Sequence, residues 1–158
     1  GGGRYADDIV KSCGGKPGDS PVVDGEYRKR SPVSYLRNAK GKVRLHIATG
    51  ITDGHNGSVP ISHSLLAFNE VAEEKDRIGS EEIAFMTKES RLPDALTRAA
   101  PDPTFGAKQP IFRRSSATAT VTIFDGGHEI IQPAAIAWMQ GLYQAGGSKD
   151  QEDSKTGE

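Results

Sequence analysis

The feature that most constrains the fold is an alternating apolar run that leads through a Gly-rich turn into a helical pattern. Along "KVRLHIATG", residues 42–50, two sets of side chains alternate: Val43, Leu45 and Ile47 on one face, Arg44, His46 and Ala48 on the other. A period of two with β-branched residues predicts a β-strand, and Gly50 ends it. The turn that follows, "ITDGHNGSVP", holds Asp53.

A helix is predicted directly after this turn. In "ISHSLLAFNEVAEEKD" the apolar residues recur at steps of three and four: Ile61, Leu65, Phe68 and Ala72. This spacing is typical of an amphipathic helix packed on a sheet. Pro60 suits the start of the helix and Ser58 is the expected N-cap.

A second strand, turn and helix follow near the end of the chain. "IFRRSSATATVTIF" predicts a hairpin in which Ser115 and Ser116 connect the two arms, and the second arm alternates threonine with apolar residues. That arm ends in "DGGHE", which contains His128. "AAIAWMQGLYQA" then predicts a helix with Pro133 in its first turn, and its Trp138 and Met139 are expected in the core. Two strand–turn–helix units in succession favour an α/β fold with parallel strands.

The remaining segments complete the expected domain organisation. "RYADDIVKSC" predicts a short helix, and "GSEEIAFMTKES" a second one capped by Ser80. Residues 79–110 are expected to form an excursion that lies on the domain body, because the part after this helix contains four prolines and shows no clear period. Residues 1–145 are expected to be one domain, and the polar residues 146–158 a disordered tail.

Composition excludes several classes of function. The chain has 20 basic and 21 acidic residues, and its longest Lys/Arg run is "RKR", so nucleic acid is not expected as a partner. The single cysteine, Cys13, excludes an internal disulfide. No apolar run approaches the roughly 18 residues of a membrane-spanning helix, so no membrane partner is expected.

The two turns are where chemistry is expected. In parallel α/β sheets, ligands and catalytic groups lie beyond the carboxyl ends of the strands, and adjacent strands bring those ends together. Asp53 and His128 should therefore be neighbours in space. A carboxylate beside an imidazole fixes the ring tautomer and stabilises the imidazolium that forms when the ring takes a proton from a nucleophile.

Other interpretations of these residues remain open. Asp-Gly is a common turn pair, and a histidine after two glycines could be a solvated loop residue. His55 and His63 near Asp53 suggest a metal site, but the spacing fits neither a calcium loop nor a complete zinc set, so no metal and no cofactor are expected. Asp125 is an alternative acid that only geometry can separate from Asp53. Glu129, next to His128, has two interpretations: it orients the loop or it faces solvent, and solvent is favoured.

Three segments carry a family resemblance. "GITDGHNGSVP", "SHSLLAFNEVA" and "VTIFDGGHEI" resemble the C-terminal part of α/β-hydrolases of the prolyl oligopeptidase group, which includes peptidases and esterases. In that family a Gly-x-x-Asp turn follows the penultimate core strand and an x-Gly-x-His turn follows the last. Residues 50–53, 59–60 and 126–128 match those positions, and "EYRKRSPVSYL" resembles the segment before the penultimate strand. The resemblance covers residues 26–75 and 111–143.

The resemblance implies a fold and a mechanism. The fold is the last two parallel core strands of a hydrolase sheet with flanking helices, an incomplete domain in which residues 79–110 are a variable region. The implied activity is serine hydrolysis of a peptide or ester through an acyl-enzyme, with His128 as general base and Asp53 as its orienting acid.

One expected element is missing from the sequence. The nucleophile of these enzymes sits in Gly-x-Ser-x-Gly upstream of the acid, and no serine before Gly50 has both flanking glycines. The chain is therefore expected to be a C-terminal piece of a longer hydrolase and inactive alone, with the N-terminal half of the domain or a second chain as partner. The alternatives are a non-catalytic binding module with the hydrolase fold, and one chain of a split enzyme.

Overall fold

The two alternating runs of the sequence form the strands of one mixed sheet. The computed structural model describes the backbone of residues 4–153 and the side chains of residues 5–142. Within them the elements are, in chain order, α1 (Arg4–Cys13), α2 (Pro21–Arg30), α3 (Val33–Leu36), β1 (Leu45–Gly50), α4 (Ile61–Val71), α5 (Ser80–Glu89), β2 (Pro110–Ser116), β3 (Ala119–Phe124) and α6 (Gln132–Asp153).

The sheet order is β1–β3–β2. Strands β1 and β3 are parallel, with Leu45 beside Ala119 and Gly50 beside Phe124. Strand β2 is antiparallel to β3, joined by a tight connection in which Ala117 is left-handed with φ 49°. The predicted α/β class, the parallel pair and the hairpin are confirmed. The predicted connection of the hairpin is wrong, because Ser115 and Ser116 pair with β3 as part of β2 and the chain turns at residues 117–118. The parallel register brings the carboxyl ends of β1 and β3 to one edge of the sheet.

The core lies between this sheet and helices α4 and α5. The buried side chains of α4 are Ile61, Leu65, Phe68 and Val71. The sequence pattern predicted this face with Ala72 as its last member; Ala72 is buried just after the helix, and Val71 is buried as well. They pack in one cluster with sheet residues such as Val121 and Ile123. Burial of each large aliphatic or aromatic side chain contributes about 1.5–3 kcal/mol, which fixes α4 and the turn before it against the sheet.

Two predicted helix caps are wrong. Helix α4 has Pro60 at its N-cap and no side-chain cap, because the backbone N–H of Ile61 donates to the carbonyl of Asp53 at 3.3 Å. Helix α5 begins at Ser80 itself, and the Glu82 carboxylate accepts the Gly79 N–H at 2.9 Å. In both cases a nearby acceptor satisfies an open N–H of the first turn without a serine hydroxyl.

Helix α6 differs from expectation in extent and in packing. It continues to Asp153, so residues 146–153 are helical where disorder was predicted, and residues 154–158 lie outside the described part of the chain. Extending a formed helix gains one hydrogen bond per residue, and each glycine there costs only about 1 kcal/mol. Met139, expected in the core, is 54% exposed, whereas Trp138 is half-buried.

The segment of residues 79–110 lies on the domain body, as predicted. Leu92 and Leu96 join the main core, and Phe105 packs with Phe124 and Ala134 in a second cluster. At the other end of the chain, α1 and α2 pack on each other, and the Tyr27 hydroxyl donates to the Gly15 carbonyl at 3.1 Å. None of the described helices is long and apolar enough to cross a membrane.

Candidate functional site

The turns after β1 and β3 are joined backbone to backbone. The carbonyl of Gly126 accepts both the backbone N–H and the hydroxyl of Thr52, each at 2.9 Å. Gly50 lies so close that a Cβ at this position would stand 2.3 Å from the Gly126 carbonyl oxygen. No other residue type fits at position 50 unless one of the two turns moves. The sequence therefore needs glycine where the two turns meet.

Asp53 and His128 are in direct contact across this junction. The Nδ1 atom of His128 lies 3.0 Å from Oδ2 and 3.2 Å from Oδ1 of Asp53. The Asp53 side chain is 9% exposed and that of His128 is 54% exposed. The predicted proximity is confirmed. Because a carboxylate only accepts hydrogen bonds, Nδ1–H is the donor, and the Nε2 lone pair of the neutral ring remains free.

Gly57 leaves the space that this contact needs. A Cβ at position 57 would lie 2.5 Å from the His128 Cβ and 2.8 Å from the Asp53 Oδ1. The glycine belongs to the "DGHNG" turn, whose tightness the sequence indicated. Its role beside the histidine depends on a contact between segments about 70 residues apart, and no local signal showed it.

Glu129 holds the turn that carries His128. Its carboxylate accepts the Gly127 N–H at 3.1 Å and the Lys108 ammonium at 2.6 Å. These two donors keep the pKa of Glu129 below its ordinary value, with Lys108 as the larger influence. Glu129 is exposed, as the favoured interpretation expected, and it also orients the loop, because the segment of residues 79–110 brings Lys108 to it. Nothing near Lys108 in the sequence indicated this pairing.

The alternative acid and the suggested metal ligands form no hydrogen bond with His128. The Asp125 side chain is exposed, and the hydrogen bonds of His128 go to Asp53. His55 contacts the Thr87 carbonyl through Nε2 at 2.8 Å, which ties the turn to α5. His63 is exposed on α4. Within residues 5–142 no group of three or more His, Cys, Asp or Glu side chains is placed to hold a metal ion.

No nucleophile completes the pair among the described side chains. No serine, threonine or cysteine in that part of the chain forms a hydrogen bond with His128, and the Cys13 thiol is buried beside α2. Chemically, the arrangement can orient an imidazole, accept a proton at Nε2 and stabilise the resulting charge. Attack on a substrate requires a further group.

A second polar cluster lies on the α6 side of the sheet and was missed from the sequence. The fully buried Thr122 hydroxyl accepts from the Arg113 Nε–H at 3.1 Å and lies 2.9 Å from the His46 Nε2. The hydroxyl thus joins the Arg113 guanidinium and the His46 ring in one hydrogen-bonded cluster. Burial, and then the charge of Arg113, lower the pKa of His46. The His46 ring packs against Trp138 at a centroid distance of 5.6 Å.

His46 and Trp138 border a cavity of about 300 Å³ between β1 and α6. Its wall also includes Ala48, Phe105 and Met139. The sequence placed His46 on one face of a strand but gave no sign of the helix that packs there. The cavity lies on the opposite side of β1 from the main core.

Comparisons with protein families, with curated proteins and with solved structures found no match to this chain. The class that fold and geometry define is a mixed α/β protein with a three-stranded sheet and an Asp–His pair at the carboxyl ends of its parallel strands.

Proposed function

We propose that Asp53 and His128 are the acid and the base of a Ser-His-Asp triad in a serine hydrolase that cleaves a peptide or an ester. The finer fold assignment is part of the proposal: β1 and β3 are the last two parallel strands of an α/β-hydrolase sheet of the prolyl oligopeptidase type. The serine comes from polypeptide outside these 158 residues. No metal or cofactor takes part.

The observation that carries the proposal is the geometry of the pair. Asp53 is almost completely buried and contacts His128 at Nδ1, while the His128 side chain is 54% exposed. A general base needs this accessibility, because Nε2 must reach the hydroxyl of a nucleophile.

The roles follow the movement of one proton. His128 Nε2 takes the proton of the serine hydroxyl as the oxygen attacks the carbonyl carbon, and later returns it to the leaving amine or alcohol. Asp53 keeps the ring in the Nδ1–H tautomer and stabilises its positive charge. Water then attacks the acyl-enzyme with His128 again as base, which releases the acid and restores the serine.

Turnover in the native protein tests this assignment. The protein is purified from cells that produce it and assayed with p-nitrophenyl acetate and with a peptide p-nitroanilide. Asp53→Asn and His128→Ala should each lower kcat by several orders of magnitude, on the order of 10⁴-fold, as losses within triads do. His63→Ala, which alters an exposed histidine on α4, is the matched control and should leave kcat unchanged.

A contrary result is equally clear. If His128→Ala retains wild-type kcat, the histidine is not the base and the proposed triad is wrong. If the wild-type native protein turns over neither substrate, the non-catalytic alternative is favoured, in which the Asp–His pair serves only to join the two turns.

A further inference from the structure

The turn that carries His128 is not anchored by a buried side chain. Strand β3 ends at the buried Phe124, and every residue from 125 to 130 is exposed or half-buried. Gly126 and Gly127 directly precede the histidine, and glycine leaves the backbone conformation largely unrestricted. The position of the His128 ring therefore depends on the polar contacts of the turn.

Asp53, in contrast, is fixed by the main core. Ile51 and Ile61 enclose the acid turn and are both buried in the main cluster. The backbone N–H of Ile61 also donates to the Asp53 carbonyl. The two members of the pair are thus held by different means, the acid by burial and the base by hydrogen bonds.

Two of the hydrogen bonds that hold the base come from the end of the excursion. The Gln109 carbonyl accepts the Asp125 N–H at 3.0 Å, at the start of the turn. The Lys108 ammonium lies 2.6 Å from Oε1 of Glu129, at its end. The same oxygen accepts the Gly127 N–H at 3.1 Å. Consecutive residues of the excursion therefore contact both ends of the turn.

The excursion is a firm support because it is anchored in both core clusters. Leu92 and Leu96 belong to the main cluster and Phe105 to the second one. The backbone N–H of Lys108 donates to the Phe105 carbonyl at 3.1 Å. The lysine therefore extends from a backbone that a buried aromatic residue fixes in place.

We propose that Lys108 is a positioning residue for the general base, because its ammonium keeps the Glu129 carboxylate on the Gly127 N–H and so fixes the turn that aims His128. This inference rests on the proposed function. A Cβ at Gly126 would lie 2.7 Å from Oε1 of Glu129, so the carboxylate lies directly on the turn. Without the ammonium, this exposed carboxylate is free to move into solvent, and the Gly127 N–H loses its acceptor.

Catalysis is expected to be more sensitive to this contact than stability is. An ion pair between exposed side chains contributes little to the free energy of unfolding. A displacement of about 1 Å at a catalytic group can lower the rate about 100-fold. Loss of the Lys108 charge should therefore reduce turnover while the fold keeps its stability, a combination that a merely structural ion pair does not produce.

Turnover of Lys108→Met tests this role in the native protein, purified from cells that produce it. The kcat for p-nitrophenyl acetate should fall by about 10-fold or more, while KM and the urea midpoint of unfolding stay close to those of the wild type. Glu129→Gln keeps the shape of the side chain but removes its charge, and it should repeat this result. Lys108→Arg keeps the positive charge and should retain at least about half of the wild-type kcat.

A second measurement reports the position of the ring without turnover. In the protein labelled with ¹³C-histidine, the NMR signal of the His128 Cε1–H is assigned by its loss in His128→Ala. It should shift in Lys108→Met and in Glu129→Gln. Lys88→Met is the matched control, because Lys88 lies in the same excursion and its exposed ion pair, at 2.8 Å, is with Glu89. The control should change neither the signal nor kcat.

The outcomes distinguish this role from the proposed function. A wild-type protein that turns over no substrate overturns the hydrolase, whereas the NMR signal still decides whether Lys108 positions the ring. Turnover by the wild type with unchanged kcat in Lys108→Met overturns the positioning role but not the triad. A loss of kcat with an unmoved His128 signal, with a lowered urea midpoint, or to the same extent in Lys108→Arg also overturns the positioning role.

Discussion

At the scale of single residues, the Asp53–His128 contact depends on the absence of a side chain at Gly57. Gly57 faces both members of the pair, and the space a methyl group would occupy is taken by the His128 Cβ and the Asp53 Oδ1. At position 57 the chain presents no side chain to the histidine. The geometry of the pair is therefore sensitive to a residue that has no functional group of its own.

Replacing this glycine should disrupt the pair. In Gly57→Ala the new methyl group would lie 2.5 Å from the His128 Cβ and 2.8 Å from the Asp53 Oδ1, so these atoms must move apart. Overpacking of this kind lowers the free energy of unfolding by about 1–3 kcal/mol. Urea unfolding measures the loss, and the NMR signals of His128 report its displacement. Gly25→Ala is the control, because no atom lies within 4 Å of the added methyl group in α2 and alanine is favoured there by about 0.5–1 kcal/mol. Equal stability of the Gly57→Ala and wild-type proteins would contradict the close approach.

His46 should make stability depend on pH. Burial and Arg113 lower its pKa in the folded chain from the ordinary 6.5, so below that value the unfolded chain binds more protons. The contribution of neutral His46 to the free energy of unfolding is complete above about pH 6.5 and is lost as the pH falls toward the lowered pKa. Urea midpoints at about pH 8 and pH 5 should therefore differ less in His46→Gln than in the wild type. His63→Gln is the control and should show the same difference between the two urea midpoints as the wild type. If His46→Gln also shows the wild-type difference, His46 is not the source of the pH dependence.

At the scale of elements, the two strand–turn–helix units were predictable because each has a local signature. The period of two, the glycines of the turns and the helical spacing of Ile61, Leu65 and Phe68 all lie within short segments. Contacts between segments were not predictable. Lys108 reaches Glu129 and Trp138 covers His46 only because of how the elements pack. Likewise, the Asp53 carbonyl and the Glu82 carboxylate accept backbone N–H groups at the starts of α4 and α5, where serine caps were expected.

Ser116 links β2 to the segment that follows α4. It is 4% exposed, accepts the Glu73 N–H at 2.8 Å and donates to the Asp76 carboxylate at 2.7 Å. Ser116→Ala removes both hydrogen bonds, one of them to a carboxylate, and should lower the free energy of unfolding in urea by about 1–3 kcal/mol. Ser115→Ala, which alters an exposed serine one residue earlier, should stay within about 0.5 kcal/mol of the wild type. Similar values for both variants would show that the buried link is unimportant.

At the scale of the whole molecule, the chain has a main body and a helical pair beside it. Both core clusters consist of residues from Leu36 onward, whereas the buried Cys13 lies in the α1–α2 pair. Few apolar contacts therefore oppose separation of that pair from the rest. Local opening of such a unit requires less free energy than global unfolding.

Thiol labelling should reveal this difference in stability. Cys13 is the only cysteine and is 4% exposed, so it reacts only when the α1–α2 pair opens. The opening free energy from its labelling rate under native conditions should be lower than that from hydrogen exchange of the β3 amides. Agreement of the two values would mean that α1 and α2 unfold only together with the sheet.

The long separation between Asp53 and His128 also determines when the site forms during folding. The two residues are 75 positions apart, and the strands that carry them pair in parallel across a similar separation. Closing a loop of this length precedes any gain from the contacts, and parallel pairing of distant strands is intrinsically slow. During synthesis, a nascent chain that has not yet reached His128 contains the residues of α4 and α5 but cannot form the Asp–His pair. The contact is therefore expected among the late events of folding, after the helices on the main core have formed.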